Sequence, residues 1–143
     1  MENHIYIGID FGLSRIGLAK SDPSGLIASA RKTIAYKSIN KAIELIIDEI
    51  SETEAVGVVI GYPLAQTGGN RGERCKMVDD FIIRLKKKYD GPIHRMDEQY
   101  SSVEAEQIIH NHEKKIGKEK GRVDRIAAAI ILQRFLDERK ENR

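Results

Sequence analysis

The chain opens on strict alternation. Over residues 4–10, Ile5, Ile7 and Ile9 fall to one side and Tyr6, Gly8 and Asp10 to the other. A period of two predicts a strand, here with both faces covered. Gly12-Leu13-Ser14 marks a tight turn into a second strand, Arg15 to Ser21. Asp22-Pro23-Ser24-Gly25 is strong turn chemistry, because proline presets one backbone angle and glycine accepts a positive one. A third strand is predicted over residues 26–35. Three strands joined by short turns form an antiparallel meander.

The period then changes. Ile39, Ala42, Ile43, Ile46, Ile47 and Ile50 follow helical spacing, with Ser38 placed to cap the first turn. Val56 to Ile60 is a short apolar run and predicts a fourth strand ending at Gly61. A polar, glycine-rich loop is expected from Tyr62 to Gly72. Cys75, Val78, Phe81, Ile82 and Leu85 then mark the buried face of a second helix. Gly91-Pro92 ends that segment, and Ile93 to Glu98 reads as a fifth strand. Ser101 with Glu104 is a capping-box pattern opening a third helix. A basic loop is expected at 114–121, and a last helix from Val123 to Glu138.

Strands that alternate with helices need crossover connections, so strands four and five should run parallel to strand one. The predicted fold class is α/β. Its mixed five-stranded sheet has three antiparallel strands, then two parallel ones, with helices on both faces. At 143 residues, with no internal repeat, linker or low-complexity segment, residues 1–143 read as one domain.

Composition narrows the class. Hydrophobic residues make up 41% and charged residues 32%, ordinary for a soluble globular protein. The absence of an apolar run of about 18 residues argues against a membrane span. The opening Met-Glu-Asn-His predicts no signal peptide. The single cysteine, Cys75, excludes an internal disulfide and a multi-cysteine zinc site. A cytoplasmic protein is expected. Aromatic residues are 6% of the chain, too few for a base-stacking platform. His110 and His112, two apart on a helix, do not share a face and read as solvent-exposed.

The net charge of +2 conceals clusters. Residues 114–122 carry Lys114, Lys115, Lys118, Lys120 and Arg122 against one acid, Glu119. Arg84, Lys86, Lys87 and Lys88 form a second cluster. Either fits an anionic partner, and either alone also fits a solvated surface.

Three acids stand in unusual places. Asp10 ends an apolar strand, where aspartate is depleted and a buried charge needs a partner or a metal. Satisfaction by turn amides fits it equally well. Asp124 begins the last helix on the stripe of Ala128, Ile131 and Phe135. An acid there is also favoured by the helix dipole. Asp97 and Glu98 end the fifth strand, and alternation allows only one of them on a given face. Periodicity leaves open which face that is. Together the acids gather at the carboxyl ends of strands, where open α/β sheets bind ligands. Clustered carboxylates without cysteine suit Mg²⁺ or Mn²⁺. Two such ions, roughly 3.5–4 Å apart, would serve phosphodiester hydrolysis.

At this point the residues resemble a known family. Ile7-Gly8-Ile9-Asp10-Phe11-Gly12 with Arg15-Ile16-Gly17, Gly61-Tyr62-Pro63-Leu64 with Gly68, Asp97-Glu98, and Val123-Asp124 with Ala127-Ala128 are similar to the YqgF (RuvX) family, in order and over nearly the whole chain. The resemblance implies an RNase H-like fold and a metal-dependent nuclease, a hydrolase of phosphodiester bonds. It implies maturation of the 5′ end of pre-16S ribosomal RNA, with Holliday junction resolution as the alternative. Carried onto this chain, the catalytic and metal-holding acids are Asp10, Glu98 and Asp124, with Mg²⁺ or Mn²⁺ as two ions. Arg15 and the Gly61-to-Gly72 loop would lie at the site's mouth.

Two positions depart from the pattern. The family usually has arginine after Asp-Glu, and this chain has Gln99, which supplies neither charge nor a guanidinium fork. A generic RNase H site has an acid at the end of the fourth strand, where this chain has Gly61.

The expected partner is nucleic acid, with precursor ribosomal RNA favoured over branched DNA. Ribosomal or transcription factors are possible further partners, and the chain is expected to act as a monomer or weak homodimer. Candidate backbone contacts are Arg15, Asn70, Arg71, Arg74, Lys114, Lys115, Lys118, Lys120 and Arg122. Two other classes compete. The first strand and hairpin also resemble the phosphate motif of actin-like ATPases, but those need two such domains. A non-catalytic RNA-binding assembly factor would have no need of buried acids.

Overall fold

The computed structural model describes residues 3–63, 71–98 and 121–141. Strands β1 (Tyr6–Phe11), β2 (Arg15–Ser21) and β3 (Ala28–Ala35) come first. Helix α1 (Ile39–Thr53), strand β4 (Gly57–Tyr62), helix α2 (Arg71–Lys86), strand β5 (Ile93–Asp97) and helix α3 (Arg122–Glu141) follow. The helix expected from Ser101, the loop at 114–120, Gln99, His110 and His112 lie outside the described residues.

The sheet order is β3-β2-β1-β4-β5. β1 pairs antiparallel with β2, and β2 with β3. β4 joins β1 in parallel, and β5 joins β4 in parallel. This is the mixed sheet that the alternation and crossover rules predict.

The turns form as their chemistry directs. The Asp22 carboxylate accepts from the backbone N–H groups of Ser24, Leu26 and Ile27, and Gly25 takes a φ of 73°. Ser38 caps α1 by accepting from Lys41 N–H. Helix α1 closes on Glu54, whose left-handed φ of 59° lets its N–H reach the last carbonyls.

Each face of the sheet has its own core. Ile7, Ile9 and Phe11 pack with Ile43 and Ile46 of α1 and with Phe81, Ile82 and Leu85 of α2. Tyr6, Ala19 and Val59 pack on the other face with Ala128, Ile131, Leu132 and Leu136 of α3. A buried Ile or Leu of this kind stabilises the fold by roughly 1.5–3 kcal/mol. Among the described residues no helix is long and apolar enough to cross a membrane.

Some boundaries differ from those the sequence predicts. The loop expected over 62–72 is shorter at both ends. Tyr62 completes β4, because it pairs with Asp97 and its hydroxyl donates to Asp79 of α2 at 3.0 Å. Arg71 and Gly72 already belong to α2. β5 ends at Asp97, although the Glu98 N–H still donates to the Tyr62 carbonyl at 3.1 Å. The last helix begins at Arg122 and reaches Glu141.

Candidate active site

Asp10 sits one residue from the end of β1. Its neighbours Ile9 and Phe11 turn toward α1 and α2. Alternation therefore sends Asp10 to the α3 face, the side that also receives Tyr6. Across the sheet it pairs with Gly17 of β2.

The ambiguity at the end of β5 resolves in favour of Glu98. The His94 ring meets Phe135 of α3 at a tilt of 38°, with ring centroids 4.8 Å apart, and Met96 packs against the same helix layer. Glu98 continues that face and is buried, at 7% exposure. Arg95 faces the other way, 5.5 Å over the Tyr62 ring and 3.4 Å from Asp79.

Asp124 lies in the first turn of α3. That turn descends directly onto β2: a Cβ on Gly17 would stand 2.0 Å from the Asp124 carbonyl oxygen. Since Gly17 is the cross-strand partner of Asp10, the helix start is brought down beside β1.

The three acids feel one another. The Asp10 carboxyl is pushed up to about 7, first by loss of water around it, then by the charges of Glu98 and Asp124, with Arg74 pulling the other way. Two arginines answer part of the negative charge. Arg74 Nη2 donates to Glu98 Oε1 at 2.7 Å, and Arg15 Nε donates to Asp124 Oδ2 at 2.7 Å. The Glu98 and Asp124 side chains are 6% and 20% exposed, against 43% for Arg74 and 46% for Arg15. The acids are thus held inside and the cations reach in from solvent.

The donor set is all carboxylate oxygen, which suits hard divalent cations. Among the described residues no three His, Cys, Asp or Glu side chains converge closely enough to enclose an ion as they stand. Glu98 and Asp124 are turned onto their guanidinium partners, and Asp10 carries repulsion that Arg74 offsets only in part. The chemistry fits a divalent cation, and the side-chain directions fit one only after those ion pairs loosen.

The other predicted contacts divide. Arg15 and Arg74 both reach the acid cluster. Arg122 opens α3, half-buried. Asn70, Lys114, Lys115, Lys118, Lys120 and the Arg71 side chain lie outside the described residues.

Sequence reasoning missed the roles of two kinds of residue. Gly17 and Gly61 act through the space they leave. A Cβ on Gly61 would press within 2.6 Å of Ile131 Cδ1 and 3.3 Å of the Glu98 side chain. Glu98 therefore enters the region above β4 that a side chain at position 61 would fill. The second kind is a row of cations, Arg31, Lys32, Lys37 and Arg125, which with Arg15 line an open groove of ≈ 890 Å³ beside β3. The adjacent Arg31-Lys32 on an edge strand was the available signal.

Comparison with known proteins agrees with this architecture. The chain is 41% identical over 135 residues to a Mycoplasmopsis synoviae protein named "Putative pre-16S rRNA nuclease", covering 92% of this chain and 96% of that one. It is 39% identical to a Crocosphaera subtropica protein of the same name, covering 98% and 97%. Among solved structures, RuvC of Thermus thermophilus with a Holliday junction substrate superposes with a TM-score of 0.60 at 12% identity, covering 96% of each chain. The fowlpox virus resolvase with its Holliday junction DNA superposes with a TM-score of 0.54 at 10% identity, covering 94% of this chain and 97% of that one. These likenesses establish the RNase H-like fold. The family profile described as "RuvX: Holliday junction resolvase" matches residues 4–138, and with these relatives it places the chain in the RuvX family.

Proposed function

We propose that this chain is a metal-dependent nuclease that hydrolyses phosphodiester bonds, acting in the cytoplasm on the 5′ end of precursor 16S ribosomal RNA. The reading takes residues 1–143 as one nuclease domain. One observation carries it: Asp10 is buried beside Glu98 and Asp124, and burial first, then their two charges, lift its carboxyl to about 7. A purely structural acid would be paired down. This one is kept short of positive charge, as a cation site requires.

Asp10, Glu98 and Asp124 would hold Mg²⁺ or Mn²⁺, in this reading as two ions. When bound, such ions stabilise the attacking and leaving oxygens of a phosphodiester displacement. The chain's own residues do the rest. β1 fixes Asp10 on the paired interior of the sheet, where its position is rigid. Glu98, buried on the same face, is held in place by the Arg74 contact. Arg15, with Arg74, offers guanidinium N–H groups that suit phosphate oxygens once they leave the carboxylates.

A second reading, resolution of four-way DNA junctions, is favoured by the family's description. It would need a symmetric dimer to cut two strands. The test is cleavage of labelled precursor ribosomal RNA and of a four-way DNA junction, with Mn²⁺ or Mg²⁺, beside Asp10→Asn protein. Cutting of the RNA alone, lost in the variant and in chelator, supports the first reading. Cutting of the junction alone supports the second. No cutting of either by folded protein overturns the nuclease assignment.

A further inference from the structure

We propose that the groove beside β3 is a second binding site, one that holds the sugar-phosphate backbone of a nucleic-acid strand leading away from the acid cluster. The inference rests on the nucleic-acid reading above and extends it to a separate surface.

Charge is the first argument. Arg15, Arg31, Lys32, Lys37 and Arg125 line the groove, and among the described residues no acid does. Among the described residues, two carboxylates pair with three of these cations. Glu49 pairs with both Arg31 and Lys32, and Asp124 pairs with Arg15. The groove's lining stays positive, and Lys37 is exposed on it. The neighbouring cleft on the α1 side has the opposite character: it is lined by Asp48, Glu49 and Glu52 with Lys32. A polyanion is attracted to one side of β3 and repelled from the other.

Position is the second argument. Thr33 of the groove pairs with Gly17, and Gly17 pairs with Asp10. The three form one row across the sheet, so the groove lies two strand spacings, roughly 10 Å, from Asp10. Arg15 belongs to both places, since it lines the groove and holds Asp124. A strand in the groove therefore meets the acids at its Arg15 end.

Rigidity is the third. The Thr33 hydroxyl donates to the Gly121 carbonyl at 2.6 Å, and Arg125 Nη1 lies 3.4 Å from that hydroxyl. The Tyr36 hydroxyl donates to the Gly12 carbonyl at 2.6 Å, tying the far end of the hairpin to the turn after β1. Arg15, Arg31 and Lys32 thus stand on a fixed hairpin, and Arg125 on the helix docked against it.

The experiment measures binding without cleavage. Full-length Asp10→Asn protein in chelator is titrated into a fluorescein-labelled 20-nucleotide RNA, and separately into a DNA duplex, across a salt series. Lys32→Gln and Lys37→Gln are made singly and together with Arg125→Gln. Lys32→Gln leaves Arg31 on Glu49, and melting curves confirm that each variant is folded. Each lost phosphate contact should lower the log–log salt slope for RNA by about 0.7, and the triple variant should lower it by about 2. Asp48→Asn with Glu52→Gln should leave affinity equal or tighter. Unchanged slopes in the folded single variants would overturn the groove assignment. So would equal displacement of RNA by polyglutamate of matched charge. The two proposals fail separately: an unaltered slope with intact cleavage sinks only the groove, whereas groove-dependent binding by a protein that never cuts sinks only the nuclease.

Discussion

Gly61 and Glu98 share one volume. A Cβ at Gly61 would lie 3.3 Å from both Cβ and Oε2 of Glu98, and 2.6 Å from Ile131 Cδ1. The next-to-last position of β4 is bare, and the acid following β5 enters there from the side. Gly61→Ala should therefore turn the Ile131 terminus aside and shift the Glu98 side chain. Overpacking of this kind costs about 1–3 kcal/mol. The expected outcome is a lower melting temperature and a loss of nuclease activity of tenfold or more. Wild-type activity in Gly61→Ala would show that the position of Glu98 does not matter to the reaction.

Asp10 should make the folded chain pH-sensitive. Its carboxyl rises from 3.8 to about 7 on folding. Between these values the folded chain binds more protons there than the unfolded chain does. Stability from this group is therefore greatest at low pH, falls as pH rises through that window, and is fully lost above it. A tenfold change in proton affinity is worth about 1.4 kcal/mol, so the penalty above neutrality is a few kcal/mol. Asp10→Asn removes it. The variant should melt about 5 °C or more above wild type at pH 8, with the gap closing toward pH 4. Adding Mg²⁺ or Mn²⁺ at pH 8 should raise the wild-type melting temperature and narrow the gap. A gap of equal size at both pH values would show that Asp10 does not titrate in this range.

Much of this was legible in the chain. The alternation at Ile5, Ile7 and Ile9 marked β1, and the spacing of Ile43, Ile46 and Ile50 marked α1. Each buries one face, and burial writes itself into sequence as period. The positions of Asp10 and Asp124 were legible as acids interrupting apolar stripes. The face of Glu98 was not, because a strand end with charged residues at successive positions carries no period. The roles of Gly17 and Gly61 were hidden for another reason: their contribution is room for a distant backbone or side chain. The groove cations escaped notice because Arg15, Arg31 and Arg125 are brought together only by the β2–β3 register and the docking of α3.

Arg74 should compete with divalent cations. It donates to Glu98 Oε1 at 2.7 Å and lowers the proton affinity of Asp10. Both effects come from one positive charge beside the carboxylates that would hold an ion. Even with water-like screening, a guanidinium a few ångströms from a cation repels it by about 1 kcal/mol. Arg74→Gln should therefore bind Mn²⁺ about fivefold tighter or more by calorimetry. The comparison belongs at pH 8.5, where wild-type Asp10 is already ionised. Weaker or unchanged Mn²⁺ binding would mean that Arg74 supports the site rather than competing for it. The same variant should cleave more slowly under saturating Mn²⁺, because a guanidinium suited to phosphate has been removed.

Gly17 decides how close Asp124 comes to Asp10. It is the cross-strand partner of Asp10, and a Cβ there would meet the Asp124 carbonyl oxygen at 2.0 Å and Arg125 N at 2.7 Å. Both contacts are backbone, so no side-chain rotation relieves them. Gly17→Ala must lift the first turn of α3 off β2 or unfold it. The lift would also disturb the Thr33 hydrogen bond to Gly121, which fixes the same turn from β3. The chain should lose about 2 kcal/mol or more of stability, and Asp10 should lose part of the Asp124 field that raises it. The second effect separates a positioning role from plain damage. Carbon-13 NMR titration of the Asp10 carboxyl in folded Gly17→Ala should show a midpoint below that of wild type. A midpoint that stays near 7 in a folded variant would mean that the descent of α3 onto Gly17 serves packing alone.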